Sequence, residues 1–123
     1  MSQRILVVED HEDNRQILRD MLSAAGYEMV EAHDGEQVLE KVFASRPDLI
    51  LMDIQLPGID GYEVSRRIKA DPALAAIPII AVTSYALTGD DAKALAAGCD
   101  DYVAKPFSPR QLLAKIREYL PEA

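Results

Sequence analysis

Leu49-Ile50-Leu51-Met52-Asp53 is the stretch on which the reading of this chain turns. A continuous apolar run of this length reads as a strand buried on both faces. It ends in a carboxylate. Three other runs have the same form. Ile5-Leu6-Val7-Val8 leads into Glu9-Asp10, Ile79-Ile80-Ala81-Val82 into Thr83, and Tyr102-Val103-Ala104 into Lys105-Pro106. If the four runs are parallel strands, their C-terminal ends meet on one edge of a sheet, where open α/β folds place their sites. The set is then three carboxylates, a hydroxyl and an ammonium. Such a set can hold a divalent cation and a phosphoryl group.

The segments between the runs read as helices. The first spans about 13–25, with Ile17, Leu18, Met21, Leu22 and Ala25 as one apolar stripe. Gly26 stands at its stop, where a left-handed residue is wanted. The second strand, about 28–32, alternates charged and apolar residues and therefore belongs at or near an edge. Asp34 caps the second helix with Gln37 as capping-box partner, and Val38, Leu39, Val42 and Phe43 give its buried face. Pro47 closes that region before the third strand, 48–52. Pro57, Gly58 and Gly61 mark a loop. A third helix follows over about 62–70 with Val64 and Ile68 inward, and Asp71-Pro72 breaks it.

The fourth strand is 78–83. A weak, Ala-rich fourth helix spans about 88–97 and stops at Gly98. The fifth strand is short, about 102–104. Ser108 caps the fifth helix, Pro109 takes its first position and Gln111 completes another capping box. Leu112, Leu113, Ile116 and Leu120 line its inner side. Alternating strands and helices with short loops imply a parallel sheet covered on both faces. Right-handed crossovers leave few topologies, and a three-layer, doubly wound α/β domain is the simplest.

Composition bounds the function. The chain has 123 residues, enough for one domain, with no repeat of solenoid length and no low-complexity linker. A formal net charge of -8 argues against direct binding to DNA and to anionic membranes. The one dense basic group, Arg66-Arg67-Ile68-Lys69, reads as a solvated helix face. No apolar run approaches the roughly 20 residues of a membrane span, and the N-terminal stretch is too short for a signal peptide. Cys99 is the only cysteine, which fits a reducing cytoplasm; in its Ala-rich setting it reads as a small packed side chain.

Glu9 and Asp10 leave the first strand and Asp53 the third. In a doubly wound sheet these strands are neighbours, so the carboxylates converge. A hard cation removes their mutual repulsion, and Mg²⁺ commonly bridges one or two carboxylates to a phosphate. Lys105, its backbone constrained by Pro106, can pair with Asp53 or a phosphoryl oxygen. Thr83 offers a hydroxyl at the same edge. A carboxylate can act as a nucleophile and form an acyl phosphate. No histidine or further carboxylate stands as a base for rapid hydrolysis; His11 and His33 read as exposed loop residues.

These segments, together with Leu56-Pro57-Gly58-Ile59-Asp60-Gly61, resemble the receiver domain of two-component response regulators over essentially the whole chain. The runs 8–15 and 53–57 look most like receivers of hybrid kinases and of the stand-alone, DivK-like cell-cycle type. The resemblance implies the flavodoxin-like five-stranded sheet, order 2-1-3-4-5. It also implies one receiver domain over 1–123 with no output domain. Asp53 is then the phosphoacceptor for a histidine kinase or a histidine phosphotransfer protein. Glu9, Asp10, Asp53 and the backbone carbonyl of Gln55 hold Mg²⁺, and Lys105 binds the phosphoryl group.

The resemblance further implies that Thr83 and Tyr102 form the switch. It implies that Gln55, Ser84 and Tyr85 tune how quickly water removes the phosphoryl group. It implies as well that a downstream protein reads the surface of the fourth helix, fifth strand and fifth helix. Ser84 stands where many relatives have Ala or Gly, and Leu56 where many have Met. The resemblance implies a phosphoacceptor switch and not an enzyme. A phosphatase of the haloacid dehalogenase type resembles an Asp-x-Asp signature, and here Asp53-Ile54-Gln55 lacks the second acid.

Overall fold

The apolar runs pair with one another at the centre of a sheet. The computed structural model describes residues 3–54, 61–83, 96–104 and 108–120. In chain order the elements are β1 (Arg4–Val8), α1 (Glu12–Ala24), β2 (Glu28–Ala32), α2 (Gly35–Ser45), β3 (Leu49–Asp53), α3 (Gly61–Ala70), β4 (Ile79–Thr83), β5 (Asp101–Ala104) and α4 (Pro109–Tyr119). The strands are all parallel, in the order β2-β1-β3-β4-β5. The fourth helix expected over 88–97 falls almost wholly outside the described residues, so the C-terminal helix carries the label α4.

Strand parity divides the core into two layers, because successive side chains point to opposite faces. Leu6, Val8, Ile50, Met52, Ile79 and Ala81 pack under α2 and α3 with Val38, Val42, Val64 and Ile68. Ile5, Val7, Leu49, Leu51, Ile80 and Val103 pack under α1 and α4 with Leu18, Leu22, Leu112 and Ile116. β3 is buried along its whole length, as a central strand must be. Each fully buried aliphatic side chain there contributes roughly 1.5–3 kcal/mol. The half-exposed β2 is an edge strand, as its alternation predicts.

The two N-cap residues, Asp34 and Ser108, act as read, with one refinement in the Asp34 capping box. Asp34 accepts from the Gln37 amide, and the Gln37 side chain reaches back to the His33 N–H, one residue before the cap. Ser108 accepts from the Gln111 amide, and Pro109 opens α4. Gly26 takes a φ of 88°, the left-handed stop.

Three expectations need correction. Ile17 and Phe43 are 49% exposed and lie off the buried stripes. Arg15, Leu18 and Leu22 centre the buried face of α1, and Gly35, Val38 and Val42 that of α2. A helix turns about 100° per residue, so the neighbours of Leu18 and Val42 rotate away from the core. Next, the third strand starts one residue late and runs through Asp53, which pairs with Val82. Asp48 instead accepts from the Arg4 amide at 2.7 Å. Finally, the basic group on α3 is not uniformly solvated. Arg66 and Arg67 are exposed, but the Lys69 ammonium donates to the carbonyls of Ala75 and Ile77 and pairs with Asp100 at 2.9 Å.

Candidate phosphoacceptor and metal site

The parity that buries Ile5 and Val7 beneath α1 points Glu9 to the same face, two residues on. Leu49 and Leu51 do the same for Asp53. The register pairs Val8 with Met52, so Glu9 and Asp53 end adjacent columns of one layer at one level. The Glu9 amide still donates to Ala32 at 3.1 Å, which ties it to β2 as well. Both residues are 3% exposed. Asp10 sits at the rim, half-buried.

One carboxylate oxygen from each of Glu9, Asp10 and Asp53 lies within 4.8 Å of the others. Two ionised carboxylates at that distance repel by about 3 kcal/mol at an effective dielectric constant of about 20. Oδ1 of Asp10 is buried and accepts no hydrogen bond among the described residues, with the His11 imidazole no nearer than 3.7 Å. Clustered, anionic oxygen donors with an orphaned buried oxygen fit a hard divalent cation. Val7, Leu18, Leu51 and Val82 line a small cavity against Glu9 and Asp53. This apolar floor keeps water from one side of the site and strengthens electrostatic interactions within it.

The first turn of α1 holds Glu9 from behind. Asn14 Nδ2 donates to Glu9 Oε1, and Arg15 Nη1 donates to the Glu9 carbonyl at 2.8 Å. Arg15 is itself buried and also meets Glu12 at 2.6 Å and Glu31 at 3.3 Å. Its hydrogen bond holds the Glu12 carboxyl below the usual carboxylate range. Arg19 shares Glu31 at 2.7 Å, and that hydrogen bond raises the guanidinium further above its ordinary value. Sequence reading passed over Asn14 and Arg15. A signal existed: positions 15, 18 and 22 share one helical face, and an arginine on an apolar stripe requires buried acceptors.

Of the remaining predicted residues, Thr83 ends β4 opposite Ala104, which places its backbone at the same sheet edge; its side chain lies outside the described residues. Tyr102 is half-buried in β5 and packs on the opposite sheet face, in the α2/α3 layer. Lys105, Gln55, Ser84 and Tyr85 lie outside the described residues. His11 and His33 are exposed, as expected, and Cys99 is a buried thiol. No helix among the described residues is long and apolar enough to cross a membrane.

The model of the response regulator receiver domain matches residues 5–117. The chain belongs to the response regulator receiver family. This receiver is 42% identical to the polar-differentiation response regulator DivK of Brucella anthropi, with both chains covered completely. It is similarly 41% identical to the DivK of Brucella ovis, again over both full lengths. Among solved structures, a response regulator from Chloroflexus aurantiacus is 32% identical with a TM-score of 0.94, over 99% of this receiver and 100% of that chain. The receiver domain of a Pseudomonas aeruginosa sensor histidine kinase is 38% identical with a TM-score of 0.91, over the same shares. That domain carries a magnesium ion coordinated in its active-site cleft. The expected sheet order and family therefore hold, and the receiver's acidic triad occupies the sheet edge at which the order reverses.

Proposed function

We propose that the chain is a phosphorylation-operated switch in which Asp53 accepts a phosphoryl group from a phosphohistidine of a kinase or phosphotransfer protein. The carboxylate oxygen attacks phosphorus, the P–N bond breaks, and imidazole leaves. The observation that carries this reading is the buried Asp53 carboxylate gathered with Glu9 and Asp10 within 4.8 Å. Glu9, Asp10, Asp53 and the Gln55 carbonyl would hold Mg²⁺, which when bound would supply positive charge to offset that of the phosphoryl oxygens. Lys105 binds the phosphoryl oxygens and Thr83 hydrogen-bonds them, with Tyr102 following. Gln55, Ser84 and Tyr85 set the rate at which water returns the site to its resting state, and slow self-dephosphorylation is the only turnover.

A partner reads the modified state on the surface of the 88–97 segment, β5 and α4. Phosphorylation favours the active arrangement only by interacting differently with the two states, and the Thr83 and Lys105 contacts supply that difference. The match to DivK proteins supports a cytoplasmic receiver that acts through other proteins, and a net charge of -8 disfavours DNA and anionic membranes as partners.

The test is labelling with a small phosphodonor and Mg²⁺, read by intact mass and lability to hydroxylamine. The wild-type chain gains one labile phosphoryl adduct and Asp53→Asn gains none. Undiminished, acid-stable labelling of Asp53→Asn sinks the assignment.

A further inference from the structure

Two side chains of α1 act on one residue of the acidic triad, by two different routes. Asn14 holds the Glu9 side chain and Arg15 holds the Glu9 backbone carbonyl. A carboxylate only accepts hydrogen bonds, so the Asn14 amide nitrogen is the atom that faces it. The other terminal nitrogen of Arg15, Nη2, donates to Glu12, and its Nε makes an ion pair with Glu31 at 3.3 Å without a hydrogen bond. Glu31 belongs to β2, paired with Val7 of β1, so the guanidinium clasps the loop between helix and sheet. A lysine has no such planar fork and cannot reproduce the three contacts together.

We infer that Arg15 and Asn14 are positioning residues for the cation site, holding Glu9 and the adjoining Asp10 in the geometry that the cation needs. This rests on the metal site proposed above. Partners that orient metal ligands typically control affinity by 10- to 100-fold. Charge alone predicts the opposite sign. Removing a guanidinium beside clustered carboxylates leaves them more negative and raises their attraction for a cation. A weakened site in an Arg15 variant therefore reports geometry and not field.

Arg19 supplies the comparison. It carries the same charge on the same helix and pairs with Glu12 and Glu31. Arg19→Gln removes one positive charge without touching the Glu9 carbonyl bond.

Mg²⁺ affinity by titration calorimetry tests the idea, on the wild-type chain and on Arg15→Gln, Arg15→Lys, Asn14→Ala and Arg19→Gln. The urea midpoint of each is measured in chelator, which isolates the apo fold. Expected are an affinity loss of order 10-fold for both Arg15 variants, a smaller loss for Asn14→Ala, and unchanged or tighter binding for Arg19→Gln. Asn14→Ala keeps a strong helix former, so it remains informative if the Arg15 variants fail to fold. Arg15 and Asn14 variants that lose apo stability yet bind Mg²⁺ like wild type overturn the inference and leave the metal site standing. A wild-type chain without Mg²⁺ affinity overturns both.

Discussion

Gly61 presses against the strand end that carries Asp53. A Cβ at Gly61 would lie 2.8 Å from the Asp53 carbonyl oxygen and 2.8 Å from Ile54 Cα, both backbone atoms that cannot swing aside. The Gly61 amide donates to Ile54 at 3.2 Å, so α3 begins in contact with the end of β3. The absence of a side chain at 61 lets the helix close over the strand while Asp53 faces the other layer. Gly61→Ala is expected to cost about 1–3 kcal/mol by overpacking, and to lower the phosphodonor-labelling yield by shifting Asp53. Urea denaturation and labelling of the same preparation check this; a variant unchanged in both measurements would contradict the close approach.

Mg²⁺ is expected to raise the melting temperature, because it relieves the repulsion among Glu9, Asp10 and Asp53. At a hundredfold excess over its dissociation constant, a ligand that binds only the folded state adds about 2.7 kcal/mol. Asp10→Ala should abolish most of that increment and melt higher than wild type in chelator, since one repelling charge is gone. Equal Mg²⁺-induced shifts in wild type and Asp10→Ala would count against the metal site.

Lys69 is the hub at the opposite end of the sheet. It satisfies the carbonyls of Ala75 and Ile77 and holds Asp100, whose carboxylate also accepts from the Ile79 amide at 2.8 Å. Lys69→Met strips two carbonyls and a carboxylate of one donor while keeping the apolar stem. A loss of about 1–3 kcal/mol in urea titration is expected, with Mg²⁺ affinity unaltered. Loss below 0.5 kcal/mol on that scale would mean that water replaces the ammonium without penalty (about the noise of such measurements).

Arg46 ends α2 in the left-handed region, with φ 49° and ψ 61°, and its side chain is exposed. A non-glycine residue there carries a strain of roughly 1–2 kcal/mol, which glycine does not. Arg46→Gly is therefore expected to stabilise the fold by about 1 kcal/mol in the same assay, less what the unfolded chain gains in freedom. A destabilised variant would show that the Arg46 side chain matters more than its backbone.

Burial pushes the Cys99 thiol up, and only the Ser65 hydroxyl and the Lys69 charge oppose it. The folded state thus holds the thiol proton more tightly than the unfolded state. Its contribution is complete below the ordinary thiol value of about 8.5, and is lost as pH rises through the folded value. Between pH 8 and 10 the wild-type chain should lose more stability than Cys99→Ala. Parallel pH profiles would show that Cys99 does not titrate between the two states. In the folded chain Ellman's reagent should react with Cys99 only as fast as the protein opens.

The local signals of this sequence were of two kinds. Apolar runs long enough to be buried on both faces, Gly26, the Asp34 and Ser108 caps and Pro109 act over a few residues, so they placed the described elements within a residue or two. The strand ends named Glu9, Asp10 and Asp53 as partners because side-chain alternation and sheet adjacency leave few alternatives. Which side of each helix faces inward was less legible. Ile17 and Phe43 look as apolar as Leu18 and Val42, and only packing against a particular sheet face chose between them.

The tertiary structure alone decided the use of Arg15, Asn14, Lys69 and Gly61. Each meets groups outside its own helix: Glu31 and the Glu9 carbonyl, the Glu9 carboxylate, Asp100, and the Asp53 carbonyl. Polar residues of this kind have no periodicity to betray them. Their partners exist only after the sheet has closed and brought β2 beside β1 and β4 beside β3.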